Sequence, residues 1–384
     1  MNNLIYLDNA ATSFPKPECV YLAVNKALRE SCGNPGRSGH KLSLAANQTI
    51  HEARLLCARL LHAKKPEQII FTNNATTALN IAIKGLLQPG DHVITSSLEH
   101  NSVARPLKHM EAQGVEVSKI PTDFIHGLNG NVIKPYQKTN TKLVVCTHIS
   151  NVTGTINDIA SIGAFCRKQG ILFLVDAAQS IGTKPIDVES MCIDMLAFPG
   201  HKGLLGPQGT GGLYLKPGLP LNTIIEGGTG STSESLIQPE NLPERFESGT
   251  ANTPGLAGLA AGIRFILDTG IDTISAHETN LTQQLIEGIL KIEQIQLIEP
   301  NIIPGRGSVV SICFSHISVA EAALIMDSAF QIAVRSGLHC APDAHQTAGT
   351  LKTGGTLRIS PNYFNTTEDI NQCLEALQLI AKGR

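Results

Sequence analysis

The sequence predicts an α/β protein: a parallel or mixed sheet covered by helices on both faces, followed by a second, smaller unit. Two observations carry this. From about residue 66 to 215, short apolar runs alternate with longer amphipathic ones, and after about 253 the texture changes to a long helical tract. The chain has 384 residues, which suits two domains at about 100–200 residues each. With 42% hydrophobic and 16% charged residues it has an ordinary globular composition.

The elements follow in order. IIFT (69–72) reads as a strand, ATTALNIAIKGLL (75–87) as a helix, HVITSS (92–97) as a strand, NSVARPLKHMEAQG (101–114) as a helix and VEVSKI (115–120) as a strand. The alternation resumes with the strand KLVVCTHI (142–149). IASIGAFCRKQG (159–170) is a helix with a glycine stop, and ILFLVDAA (171–178) is a continuously apolar strand of the kind a doubly covered sheet needs. GGLYL (211–215) is a further strand. PGLAGLAAGIRFILDTG (254–270) and TISAHETNLTQQLIEGILKIEQ (273–294) are helical, VVSICFSH (309–316) is a strand, and a helix follows at 318–328. The closing helix begins at Thr367 with an acidic first turn.

Composition excludes several functions. Thirty Lys and Arg against 32 Asp and Glu give a net charge of −2 with no basic stripe, so no nucleic-acid or membrane-surface partner is expected. No apolar run approaches the roughly 20 residues of a bilayer span, and the start carries no pattern of an export signal. Nine cysteines stand singly, with no C-x-x-C, which predicts reduced thiols in a cytoplasmic setting. No H-x-x-x-H or H-E-x-x-H occurs, and no metal site is expected. The glycines of GPQGTGG fit neither nucleotide fingerprint and read as a turn into GGLYL.

The chemistry concentrates in LFLVDAAQSIG (172–182) and FPGHKGLLGPQGTGGLYL (198–215). Asp176 ends an apolar strand, where a buried carboxylate needs a cationic partner. Lys202, 26 positions later, sits in a glycine-rich turn, and a buried amine that sheds its proton can act as a nucleophile. Pyridoxal phosphate requires this pairing, a lysine for its aldehyde and a carboxylate for its ring nitrogen; a structural Asp and Lys would read the same way. FTNNATTALN (71–80) offers a strand–turn–helix junction where the amides of Ala75 and Thr76 and the Thr76 hydroxyl could meet a phosphate, or simply cap the helix.

At this point the chain resembles the class V pyridoxal-phosphate enzymes, in their cysteine desulfurase and selenocysteine lyase branch. Ten ordered motifs carry the resemblance: YLDNAAT (6–12), NPGRSGH (34–40), FTNNATTALN, LEHNSV (98–103), HISNVTGTI (148–156), VDAAQS (175–180), GHK (200–202), RFESGTANTPG (245–255), RSGLHCAP (335–342) and LRISPNYFNT (357–366). It implies the PLP-dependent transferase fold (fold type I), with a large mixed or parallel-sheet PLP-binding domain over 14–252 and a small α+β domain from 1–13 and 253–384.

Carried over by position, the resemblance makes Lys202 the Schiff-base lysine, Asp176 the partner of the pyridine nitrogen and His100 the imidazole stacked on the ring. Gln179 and Asn151 would lie near the phenolic oxygen. Ala75, Thr76 and His201 would hold the phosphate, joined by Thr250 from the neighbouring subunit of a homodimer. Arg358 would clamp the substrate α-carboxylate, with Asn151 beside it. Cys340 would take sulfur from L-cysteine as a persulfide bound for an acceptor protein, and L-selenocysteine would be a further substrate; His339 and Arg335 would lower the Cys340 pKa. The other eight cysteines read as small buried hydrophobes.

Two departures stand out. Pro199 replaces a serine or threonine common in relatives, removing a phosphate contact, and Leu338 replaces a second histidine. CAPDAHQTAGTLKTGGTLR (340–358) is expected to be a mobile lip over the site. A class V aminotransferase, a β-eliminating lyase, or a slow sulfur-relay partner whose main role is docking are the alternative functions.

Overall fold

The computed structural model describes residues 4–36, 39–231, 234–298 and 306–383; Arg37 and Ser38 of NPGRSGH lie outside them. Along the chain come β1 (Ile5–Tyr6), α1 (Glu18–Glu30), α2 (Lys41–Leu60), β2 (Ile69–Thr72), α3 (Ala75–Leu86), β3 (His92–Ser96), α4 (Asn101–Ala112), β4 (Glu116–Ile120), α5 (Gly130–Ile133), β5 (Thr141–Thr147), α6 (Ile159–Gln169), β6 (Leu172–Asp176), β7 (Met195–Pro199) and β8 (Gly211–Leu215). The second half holds α7 (Thr253–Thr269), α8 (Ile271–Ile289), β9 (Ile295–Ile298), β10 (Val310–Phe314), α9 (Val319–Phe330), β11 (Ile332–Ala333), β12 (Arg335–Gly337), α10 (Pro342–Thr347), β13 (Thr356–Ile359) and α11 (Thr367–Ala381).

The large sheet has seven strands in the order β2-β8-β7-β6-β5-β3-β4. β3, β4, β5, β6 and β7 run parallel, whereas β8 is antiparallel to both neighbours, so the sheet is mixed. Its central strands are apolar on both faces: Phe173 and Val175 face one core, with Ile162 and Leu196, while Leu174 faces another, with Ala78 and Leu213. That two-sided burial is why ILFLV shows no alternation. Gly170, left-handed at φ 68°, ends α6 where the sequence places its stop.

A four-stranded antiparallel sheet, β12-β13-β10-β9, forms the second unit under α8, α9 and α11. Ile5 and Leu7 from the N-terminal segment join its core, through parallel pairing of β1 with β11. α7 differs from the expectation that the second unit opens at 253. Its Leu256, Leu259 and Ile263 pack into the large sheet's core, and α8 bridges the two, with Ile274 in the first core and Leu281 and Leu285 in the second. α11 starts at Thr367, but its cap is Thr366, whose hydroxyl accepts from Asp369 N while the Asp369 carboxylate accepts from Thr366 N.

α1 and α2 were not legible in the sequence. α2 buries Ala46, Ala53, Cys57 and Leu60 yet exposes Leu42, Leu44 and Leu55, so its leucines run round the helix instead of marking one face. Among the described residues, no helix is long and apolar enough to cross a membrane.

Candidate active site

The parallel strands end on one side, and the residues singled out in the sequence stand in the turns beyond those ends, where open α/β sheets place ligands. Asp176 is the last residue of β6, and β5 runs into the turn with Asn151. β3 leads to His100 at the N-terminus of α4, β2 to Ala75 at the start of α3, and β7 to the Gly200–Lys202 turn.

That turn is tight for a steric reason. Gly200 N donates to Thr210 O at 2.8 Å and Gly206 N to Gly200 O at 2.8 Å, and a Cβ on Gly200 would strike the Thr210 hydroxyl. Lys202 is partly buried; desolvation, with help from the nearby Arg358 cation, draws its amine down to about 8 against the opposing pull of Asp176. Asp176 is 2% exposed, and burial pushes its carboxyl up, offset in part by Ala178 N donating at 2.9 Å and by Lys202. Among the described residues no cation lies within ion-pair distance of Asp176, so this carboxylate has the environment of one that lacks its counter-charge.

His100 caps α4. Its Nδ1 accepts from Ser102 N at 3.0 Å and meets Ser102 Oγ at 2.9 Å, which leaves the hydrogen on Nε2. Burial, then the cations Lys202, Arg335, Arg358 and Arg105, bring its pKa down to about 4, so the ring is neutral at physiological pH. Ser102 Oγ also meets Thr76 Oγ1 at 2.7 Å, which joins the N-termini of α3 and α4 through their hydroxyls. Asn74 caps α3 by accepting from Thr77 N at 2.9 Å, and the amides of Ala75 and Thr76 have no helical acceptor. His201 Nδ1 is buried without a partner, and burial beside Lys202 and Lys16 holds that ring near 4 and neutral. Pro199 closes β7 with no hydroxyl to offer.

Arg358 is 1% exposed on β13. Its Nη2 donates to Asp8 Oδ1 at 2.8 Å and Nη1 to Asn151 O at 3.1 Å, while Nε is buried and unpaired. The guanidinium is thus held on two sides, and each terminal nitrogen keeps a second hydrogen. The amides of Asn151 and Gln179 are both engaged by backbone: Asn151 Nδ2 donates to His339 O at 2.7 Å, Gln179 Nε2 to Ala10 O at 3.0 Å.

Cys340 is exposed, and it and His339 are both left-handed, at φ 57° and 47°. Non-glycine residues there are strained and persist only when other contacts hold them. Those contacts are Asn151 Nδ2 on His339 O and Asn101 N, next to His100, on Cys340 O at 2.7 Å. The turn carrying the thiol is thus pinned to the cluster of His100, Asn151 and Arg358.

Three expectations need correction. His339 does not serve Cys340 as a cation. Its ring is 3% exposed, and burial with the nearby Arg358, His345 and Arg335 brings its pKa down to about 2. Ser311 Oγ donates to Val152 O at 2.6 Å and Thr356 Oγ1 to Ser311 Oγ at 3.2 Å, so Thr356 must accept from His339 Nε2–H at 2.9 Å. The ring therefore faces inward and braces the turn. The segment after Cys340 is also not a loose lip at its start: α10 buries Ala344 and His345, with His345 Nδ1 and Thr350 Oγ1 at 2.8 Å, while 351–354 are exposed. Among the eight other cysteines, Cys57, Cys146, Cys166 and Cys373 are buried, but Cys19 and Cys32 are exposed and Cys192 and Cys313 partly so.

Thr250 is exposed in the loop before α7, where it lines a cavity with Thr72, Asn73 and Thr77. Sequence reasoning missed Asp8, Ser102 and Glu99. Asp8 and Ser102 lie inside motifs already noted, but their partners come from other elements. Glu99, 1% exposed, accepts from Thr147 N with both oxygens and from Ser96 Oγ, and burial pushes it up to about 8; it anchors the residue before His100 to β5.

Comparison with known proteins agrees with this geometry. The family model of class-V aminotransferases matches residues 5–373. A probable cysteine desulfurase of Methanothermobacter thermautotrophicus is 37% identical, over 98% of this chain and 94% of its own length. One of Pyrococcus abyssi is 35% identical, over 99% and 95%. Among solved structures, the apo cysteine desulfurase of Thermococcus onnurineus NA1 superposes with a TM-score of 0.93 at 33% identity, covering 99% of this chain and 95% of that one. The Escherichia coli cysteine desulfurase CsdA gives 0.88 at 27% identity, with 99% and 95% covered. From YLDNAAT near its start to RISP near its end, the chain belongs to the class-V aminotransferase family, in its cysteine desulfurase branch.

Proposed function

We propose that the protein is a pyridoxal-phosphate-dependent cysteine desulfurase, a cytoplasmic homodimer that converts L-cysteine to L-alanine and loads the sulfur on Cys340 for an acceptor protein. The observation that carries this reading is the strained, exposed Cys340 turn pinned by Asn101 and Asn151 to the cluster around Lys202, Asp176 and Arg358. The donor set suits the cofactor. Asp176 lacks a counter-charge that a protonated ring nitrogen would supply, His100 is a neutral ring, and the free amides at the start of α3 suit a phosphate.

When bound, the cofactor supplies an aldehyde for the substrate amine and a ring that absorbs the charge left as the α-proton departs. Arg358 binds the substrate carboxylate through the hydrogens that its terminal nitrogens keep beyond Asp8 and Asn151. Lys202 Nζ, with its lowered pKa, takes the α-proton and passes it on. Asp176 holds a proton on the ring nitrogen by charge pairing. The Cys340 thiolate attacks the substrate sulfur: an S–S bond forms, the C–S bond breaks with its electron pair staying on the carbon skeleton, and that skeleton leaves as alanine after protonation. A thiol of the acceptor then collects the terminal sulfur by exchange.

Product analysis with L-cysteine and L-selenocysteine, with and without a thiol reductant, tests the reading. Alanine in step with persulfide is the expected outcome, whereas pyruvate or another keto acid would mark a β-eliminating lyase or an aminotransferase. Asp176→Ala is expected to lose most activity, about 10²-fold or more, and to weaken cofactor retention while the far-ultraviolet circular dichroism stays that of the parent. An unchanged rate would remove Asp176 from the chemistry.

A further inference from the structure

The strand β2, which leads into the turn that opens α3, and the loop that carries Thr250 are tied together by one largely buried ion pair. Arg54, on the inner face of α2, is 7% exposed. Its Nη1 and Nη2 donate to the two carboxylate oxygens of Glu247 at 2.6 and 2.8 Å, and Nη1 also donates to Ile69 O at the start of β2. The guanidinium lies over the Phe71 ring, 4.6 Å from its centroid. Glu247 Oε1 in turn accepts from Phe71 N at 2.6 Å, a donor on β2, the strand at the sheet edge. Every group in the pair therefore grips β2.

Both ends of this arrangement lead to phosphate-binding candidates. Two residues past β2 stands Asn74, the cap of α3, with the amides of Ala75 and Thr76 next. Three residues past Glu247 stands Thr250, after Gly249 at φ 92°. Thr72, Asn73 and Thr77 share with Thr250 the wall of an open cavity of about 490 Å³. Thr250 is exposed there, and Lys202 of its own chain does not line that cavity.

A buried ion pair is weak evidence for stability, since apolar residues of similar volume often serve as well. A bidentate fork does something apolar packing does not: it fixes orientation as well as distance. We propose that Arg54 and Glu247 form a positioning strut that sets the Thr250 loop against β2, so that this chain controls how tightly the other subunit of the dimer grips its cofactor phosphate. The strut rests on the homodimer reading of Thr250 given above. Arg54 and Glu247 touch neither substrate nor reacting atoms, and their effect is on cofactor binding in trans.

The test uses tagged mixed dimers in which one chain carries Lys202→Ala, leaving a single Lys202 per dimer. In the first hybrid the Lys202→Ala chain also carries Arg54→Met and Glu247→Gln, which removes both charges and leaves no lone buried ion. The remaining Lys202 site then has its own α3 intact but receives Thr250 from the altered chain. In the second hybrid the two strut substitutions sit on the chain that keeps Lys202, and its Thr250 comes from a chain with the strut intact. The readouts are the dissociation constant of pyridoxal phosphate and the fraction of cofactor fixed by borohydride. The first hybrid is expected to bind about 10–100-fold more weakly than the second, the order of one lost charge-assisted contact. Equal retention in the two hybrids, or the greater loss in the second, would overturn the strut while leaving the dimer reading intact. Sedimentation as a fully active monomer would overturn the Thr250 reading and the strut with it.

Discussion

Lys202→Ala is expected to abolish turnover, by about 10⁴-fold or more, and with it the cofactor fixed on a lysine by borohydride. A single general acid–base contribution is worth about 10²–10⁴-fold, and in the proposed function Lys202 would carry both the attachment and the proton transfer. The site makes this specific. The amine is drawn down to about 8 by burial and the nearby Arg358, so it sheds its proton more readily than an ordinary lysine. Lys16 is another amine close by, also lowered to about 8, but its Nζ is committed to Ser13 Oγ at 2.7 Å and His201 O at 2.8 Å. Peptide mapping after borohydride reduction checks the assignment. Label on Lys202 in the parent and none in the variant is the expected result; label moving to another lysine with turnover retained would contradict it.

Cys340→Ala is the second large effect. Desulfurase turnover is expected to fall by at least about 10²–10⁴-fold, because sulfur is a poor leaving atom and needs a thiolate to accept it as the C–S bond breaks. Cofactor binding is expected to survive, since no cofactor-binding candidate depends on the Cys340 side chain; the turn is held through its backbone, by Asn101 N and Asn151 Nδ2. Selenium leaves more readily, so the same variant is expected to lose less with L-selenocysteine than with L-cysteine. Parallel assays of the two substrates check this. A variant that releases sulfur at the parental rate would place the nucleophile elsewhere.

The large sheet was legible because its central strands are apolar on both faces and separated by helices with clear stops, such as the one at Gly170. Asp176 and Lys202 could be singled out from an apolar strand end and a glycine-rich turn, whereas His100 and Asn151 came only from the family resemblance of their motifs; the structure sets them in the turns beyond β3 and β5. Less readable were groups whose roles depend on long-range pairing. Asp8 on Arg358 spans 350 positions, and nothing in YLDNAAT announces that its aspartate holds an arginine of RISP. His339 was misread for a related reason: proximity in sequence suggested a cation beside the thiol, while the left-handed turn at 339 and 340 sends the ring into the core and the cysteine to the surface. α2 stayed hidden because its leucines point both ways, and α7 was assigned to the wrong core because a helical pattern does not say which sheet it packs on.

In the proposed function Cys340 receives the sulfur. A single turnover with L-cysteine and no reductant, followed by peptide mass spectrometry, measures it directly. One additional sulfur on the peptide containing Cys340, with an equal amount of alanine, is expected. Sulfur on the exposed Cys19 or Cys32 instead, or pyruvate with free sulfide and an unmodified Cys340, would contradict it.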